Sequence, residues 1–154
     1  MPEPVAYALR FRGSAVPVDG RRIWSESHAR GAPFLRALGG SGPASPPADG
    51  IVGETAICRR ELELNADGTF TSAGEIAFSA DDAVTFHATG ALAECPTPGL
   101  QHGTAVLTVT GGRGRLAAAS GSIASQLLLD ADGVLVDHQL GLLFIEQTPA
   151  VKEE

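Results

Sequence analysis

Apolar and polar residues alternate with a period of two along most of the chain, the pattern of strands that bury one face. Val5, Tyr7, Leu9 and Phe11 share one side of a first strand over 5–12, opposite Ala6, Ala8, Arg10 and Arg12. Glu54–Leu64 carries Glu54, Ala56, Cys58, Arg60, Leu62 and Leu64 on one side and Arg59, Glu61 and Glu63 on the other. Phe70–Phe78 and Val84–Leu92 follow, the latter with Val84, Phe86, Ala88, Gly90 and Leu92 opposite Thr85, His87 and Thr89. Thr104–Thr110, Ile123–Leu129 and Val134–Ile145 complete the set. Asn65–Gly68 (NADG) and Asp130–Gly133 (DADG) have the aspartate and glycine of hairpin turns. Neither continues to the glutamate that a calcium loop needs. Pro96 and Pro98 end a hairpin, since proline removes a ladder donor.

Two stretches depart from simple alternation. The last strand is apolar on both sides, with Val134, Val136, His138, Leu140, Leu142 and Phe144 opposite Leu135, Asp137, Gln139, Leu143 and Ile145. An antiparallel sheet with two apolar faces needs its outer face covered, most simply by another subunit, so a homodimer or homotrimer is expected. Residues 13–49 read as irregular, with Gly39, Gly40, Pro43, Pro46 and Pro47 breaking any period. Because this insert holds Trp24, Ile23, Phe34 and Leu35, it is expected to be a lid rather than a linker.

Length and charge narrow the picture. The 154 residues suit one domain with a real core, and 147–154 read as a disordered tail. The net charge of −7 and the single lysine, Lys152, leave no basic stripe for nucleic acid. No basic N-terminal segment precedes an apolar run, and no apolar run is long enough to span a bilayer, so neither membrane nor export is expected and the location read is cytoplasmic. Cys58 and Cys95 lack the partners of a zinc site. The dominance of arginine over lysine, with abundant alanine and glycine, is the compositional habit of a GC-rich bacterial genome.

The segment Gly103–Ser122, GTAVLTVTGGRGRLAAASGS, runs from a strand through clustered glycines to a second strand. A phosphate-binding loop would need a helix after the glycines, and Leu116–Ser122 is too short to supply one. Residues 111–121 resemble the GGTGxFxxAxG segment of the allene oxide cyclase and dirigent superfamily. Arg113 stands where that family usually has threonine, and Leu116 where it has phenylalanine or tyrosine. The likeness covers roughly Gly50–Glu146. It implies an all-β fold, a small antiparallel barrel of about eight strands, and a role in guiding the cyclisation or coupling of reactive organic intermediates without a cofactor. A soluble, bacterial-looking chain is more similar to the polyketide-pathway cyclases of that superfamily than to its secreted plant members.

A barrel of this size has room for packed side chains or one small hydrophobic ligand. Parity places Tyr7, Glu54, Arg60 and His138 among the interior residues, and these are the catalytic candidates. Glu54 is either a solvated strand end or an acid–base group with a raised pKa. Arg60 either binds a substrate oxygen or pairs with a carboxylate such as Glu146 or Asp137. Glu54 and Arg60 stand about 20 Å apart along their strand, too far to pair with each other. Tyr7 either donates to an oxyanion or packs with its hydroxyl satisfied, and His138 is either a satisfied interior histidine or a proton-transfer group. Trp24, Phe11, Cys58, Phe86 and Phe144 are the candidate substrate-lining residues. His28 and His102 fall in expected loops, and His87 faces outward. Serine-elbow, zinc-helix and dinucleotide signatures are missing from the sequence, which disfavours hydrolysis, metal chemistry and hydride transfer. The leading reading is a cofactor-free cyclase or isomerase of natural-product biosynthesis; the other is a noncatalytic barrel that carries a small hydrophobic molecule.

Overall fold

The computed structural model describes residues 2–30 and 55–146. They form eight strands: β1 (Pro2–Pro17), β2 (Arg22–Arg30), β3 (Thr55–Leu64), β4 (Thr69–Ala77), β5 (Ala83–Glu94), β6 (Leu100–Arg113), β7 (Ser120–Asp130) and β8 (Val134–Glu146). Each pairs antiparallel with the next, and β8 returns to β1 to close the barrel. The seam between β1 and β8 runs from Pro2↔Glu146 to Ser14↔Val134, so no sheet edge stays open there. The all-β barrel that the resemblance implies is therefore the observed fold.

The irregular insert expected over 13–49 is corrected over its first part. β1 continues to Pro17, and Arg22–Arg30 is a regular strand paired with both β1 and β3. Ser25, Ser27 and Ala29 point inward, while Trp24 and His28 are exposed on the outer wall. Small and polar inward residues beside an outward tryptophan give no hydrophobic period, which is why this strand escaped the pattern. The rest of the expected lid, the tail and Glu54 lie outside the described residues.

Inside, Phe11, Phe70, Phe78, Ile76, Leu107, Ile123 and Leu143 are fully buried and form one continuous core. The two ends of the barrel differ. At one end the connections Phe78–Asp82 and Gly114–Ala119 fold across the opening, with Phe78, Leu116 and Ala119 buried beneath them. Leu116, where the resembled segment usually has an aromatic residue, is fully buried at this end. Gly114 adopts φ +66°, and a Cβ there would run into the Asp81 carbonyl oxygen. Gly112 is needed for a different reason: a Cβ would collide with the Ala83 carbonyl oxygen across the ladder. At the other end, four hairpin turns leave the inward residues Ile23, Leu64, Leu92 and Leu129 only half-buried, forming an apolar mouth.

Candidate functional site

Between plug and mouth, the apolar lumen is interrupted by a layer of polar side chains. Arg60 enters from β3, where its neighbours in register are Ser25 and Gly74. It is 1% exposed, and its guanidinium crosses the lumen to strands that β3 does not pair with. Nη1 donates to Asp137 Oδ2 at 3.1 Å and to Ser125 Oγ at 3.2 Å, while Nε donates to Ser72 Oγ at 3.0 Å. The Asp137 carboxylate is held from its other side too. Ser125 Oγ donates to Oδ1 at 2.7 Å, and Gln139 Nε2 donates to Oδ2 at 3.0 Å. Tyr7 Oη donates to Gln139 Oε1 at 3.3 Å, which ties β1 into the same network. A Cβ on Gly141, opposite Tyr7, would overlap the phenol ring, so that glycine gives the ring its place. The Tyr7 ring also meets Phe78 edge to face, with centroids 5.7 Å apart. Phe86 lies under the guanidinium, its centroid 5.7 Å from Arg60 Cζ.

Buried charges persist when paired and fully hydrogen-bonded. The carboxylate of Asp137 meets that condition, with donors on both oxygens. Arg60 does not, because its Nη2 is buried without a hydrogen-bond partner. The neutral groups of the layer stay neutral. Burial first, then the nearby Cys58 and Asp137, pushes the Tyr7 phenol well above its ordinary value. Burial likewise raises the Cys58 thiol to about 12, so it offers no thiolate nucleophile at neutral pH.

The structure brings together Tyr7, Arg60, Cys58, Phe11 and Phe86 from the sequence candidates, all inward and buried. Three others are corrected. His138 and Phe144 sit on the outer wall of β8, which faces Asp137, Gln139, Gly141 and Leu143 into the lumen instead. Because β8 is apolar on both sides, alternation divides it into two sets without saying which is inside. Pairing with β1 decides it, with Tyr7 opposite Gly141. Trp24 is on the outer wall of β2 and lines no interior site. His28 and His102, expected in loops, lie in β2 and β6; His28 meets Glu26 at 3.2 Å and His102 meets Gln126 at 2.7 Å. Asp137 is one of the two carboxylates the sequence offers Arg60, whereas Ser72, Ser125 and Gln139 are partners of this pair that only the structure reveals. The available signal was the need itself: an inward arginine requires a carboxylate, and Asp137 is the carboxylate within the apolar last strand.

The closed eight-stranded antiparallel meander is a dirigent-like barrel fold. Among solved structures, the pterocarpan synthase dirigent protein GePTS1 is similar, with a TM-score of 0.56, 9% sequence identity and coverage of 95% of this chain and 90% of that one. No protein-family model and no curated protein matches the sequence. Among the described residues, no helix is long and apolar enough to cross a membrane, and no group of three or more His, Cys, Asp and Glu side chains is placed to hold a metal ion.

Proposed function

We propose that the barrel holds a reactive hydrophobic molecule in one folded conformation and steers its ring closure without a cofactor, as a cyclase or isomerase of polyketide-type natural-product biosynthesis. The observation that carries this reading is the buried guanidinium of Arg60, with an unanswered donor, set in a polar layer between apolar stretches of the lumen. Such a group orients a ligand and stabilises charge that develops on its oxygen, and a dry surrounding strengthens both effects. Tyr7 and Cys58 keep their protons at neutral pH. Their part is therefore shape and hydrogen bonding, and rate would come from orientation rather than proton shuttling. Likeness to a dirigent protein that is a pterocarpan synthase is in keeping with such a role for the fold.

The test is native mass spectrometry of the purified protein, followed by denaturation and identification of any released compound. A released polyene, lactone or related precursor, converted over many turnovers into one stereoisomer, is the expected result. Stoichiometric protection of that compound without turnover would replace the cyclase with a carrier.

We also propose that the protein works in the cytoplasm as a homodimer or homotrimer. Val106, Leu140, Leu142 and Phe144 are exposed on the outer wall of β6 and β8. Beside them a groove of about 520 Å³ runs between Ala8, Arg10, Ala124, Gln126, His138 and Leu140. A single mass above the monomer in light scattering, reduced to the monomer by Leu140→Glu, is expected; a wild-type monomer at micromolar concentration would count against assembly.

A further inference from the structure

The guanidinium of Arg60 has five N–H donors, one on Nε and two on each Nη. Nε is used by Ser72, and the two hydrogens of Nη1 are matched by Ser125 and Asp137. The unused pair therefore sits on Nη2, which is buried and has no hydrogen-bond partner. Leaving a buried charged donor unmet is costly, and buried donors are almost always answered by something. An acceptor is missing at this point of the lumen.

The charge already present tells what kind of acceptor fits. Arg60 is matched one to one by Asp137, both 1% exposed in their side chains. Among the described residues, Arg60 is the one cation in the buried interior, and the other buried titratable groups around it, Tyr7 and Cys58, are uncharged at neutral pH. A carboxylate or phosphate placed on Nη2 would add a negative charge with no counterion, at a large desolvation cost. A neutral oxygen adds none. The walls beside its serine partners are apolar and short, with Phe86 beneath the guanidinium, Ala88 in register with Ser72 and Ala105 in register with Ser125.

We propose that Nη2 of Arg60 is a preformed donor for a neutral carbonyl oxygen, that of a ketone, enone, ester or lactone, on an otherwise hydrophobic ligand. The inference rests on the reading of the barrel as a ligand container and adds which functional group the ligand carries and where it lies. A carbonyl bound there is polarised by a full positive charge in a low-dielectric site, while Asp137, saturated by Arg60, Ser125 and Gln139, holds the donor in place.

Three probes of similar shape separate the possibilities: benzalacetone, which is an enone; its carbonyl-free hydrocarbon analogue, 1-phenyl-1-butene; and the cinnamate anion. Each is titrated into the full-length protein, with the carbonyl of benzalacetone labelled with carbon-13. Benzalacetone is expected to bind roughly tenfold to a hundredfold more tightly than the hydrocarbon, the worth of one charge-assisted hydrogen bond. Its carbonyl resonance should move downfield, and cinnamate should bind more weakly than the enone. Because Arg60→Met alone leaves Asp137 buried and unpaired and strongly destabilises the fold, the second protein is Arg60→Met with Asp137→Leu, which keeps the interior neutral. In that variant, with melting retained, the enone and hydrocarbon should bind alike and the carbonyl shift should vanish. Equal binding of enone and hydrocarbon to the wild type would mean that water alone answers Nη2, overturning the proposal while leaving the container reading intact. Tighter binding of cinnamate would overturn the neutral assignment. Binding of none of the three would overturn both the carbonyl site and the container on which it rests.

Discussion

Two arginines in this barrel each meet one aspartate, and the comparison separates a group that holds the fold from one with capacity to spare. Arg115 belongs to the plug. Its side chain is half-exposed, and it grips Asp82 through Nε at 3.1 Å and Nη2 at 2.7 Å, while its own backbone N–H donates to Asp82 Oδ1 at 2.9 Å. Ser79 Oγ donates to the same carboxylate at 3.1 Å. Everything the buried Asp82 needs comes from two short connections at one end of the barrel. Arg60 and Asp137 lie 77 residues apart, meet across the lumen, and are both excluded from water. Their geometry draws on β3, β4, β7 and β8 at once, and one nitrogen is still unanswered. A carboxylate saturated by local donors needs nothing more, whereas a lumen-crossing charge with an open donor is where a ligand has something to gain.

The largest effect is expected from breaking the inner pair on one side. Asp137→Asn leaves the Arg60 charge buried without a counterion and should cost about 3–5 kcal/mol in urea unfolding, whereas replacing Arg60 and Asp137 together with Met and Leu should recover most of that loss. Equal losses in the single and double variants would mean that the two groups are not coupled. Next comes Asp82→Asn in the plug, expected to cost about 2–3 kcal/mol at neutral pH because several donors lose their charged acceptor.

That cost should depend on pH. The Arg115 side chain, the first of several donors, holds the Asp82 carboxyl below the usual aspartate range. The stability it contributes is therefore present above about pH 4 and lost as the pH falls through the depressed value. Wild type and Asp82→Asn should accordingly approach each other in acid, and a difference as large at pH 2 as at pH 7 would refute the assignment. The smallest effect belongs to Arg115→Met. A half-exposed partner is screened by solvent, and Asp82 keeps its backbone and Ser79 donors, so a loss of about 1 kcal/mol or less is expected in the same unfolding experiment.

Much of the wall of this barrel was readable along the chain, and much less of its interior. The alternation of β1, β3 and β5 placed Tyr7, Arg60, Cys58 and Phe86 inward, because each of those strands has one clearly apolar side. β2 was missed because Ser25, Ser27 and Ala29 carry too little hydrophobicity to mark an inner face, while the large Trp24 faces out. Alternation separates the two sets of β8 but, because both are apolar, does not tell that His138 and Phe144 belong to the outer one.

Sequence by itself determined what depends on near neighbours: the period-two strands, the NADG and DADG turns, and the glycine run in which Gly114 takes a left-handed backbone angle. Only the tertiary structure decided which side of β8 faces inward and which groups answer Arg60. Those outcomes depend on where strands distant in the chain arrive around a closed barrel. Closure brings Ser72, Ser125 and Asp137 to one guanidinium and leaves Nη2 open, and no local pattern of residues encodes that meeting.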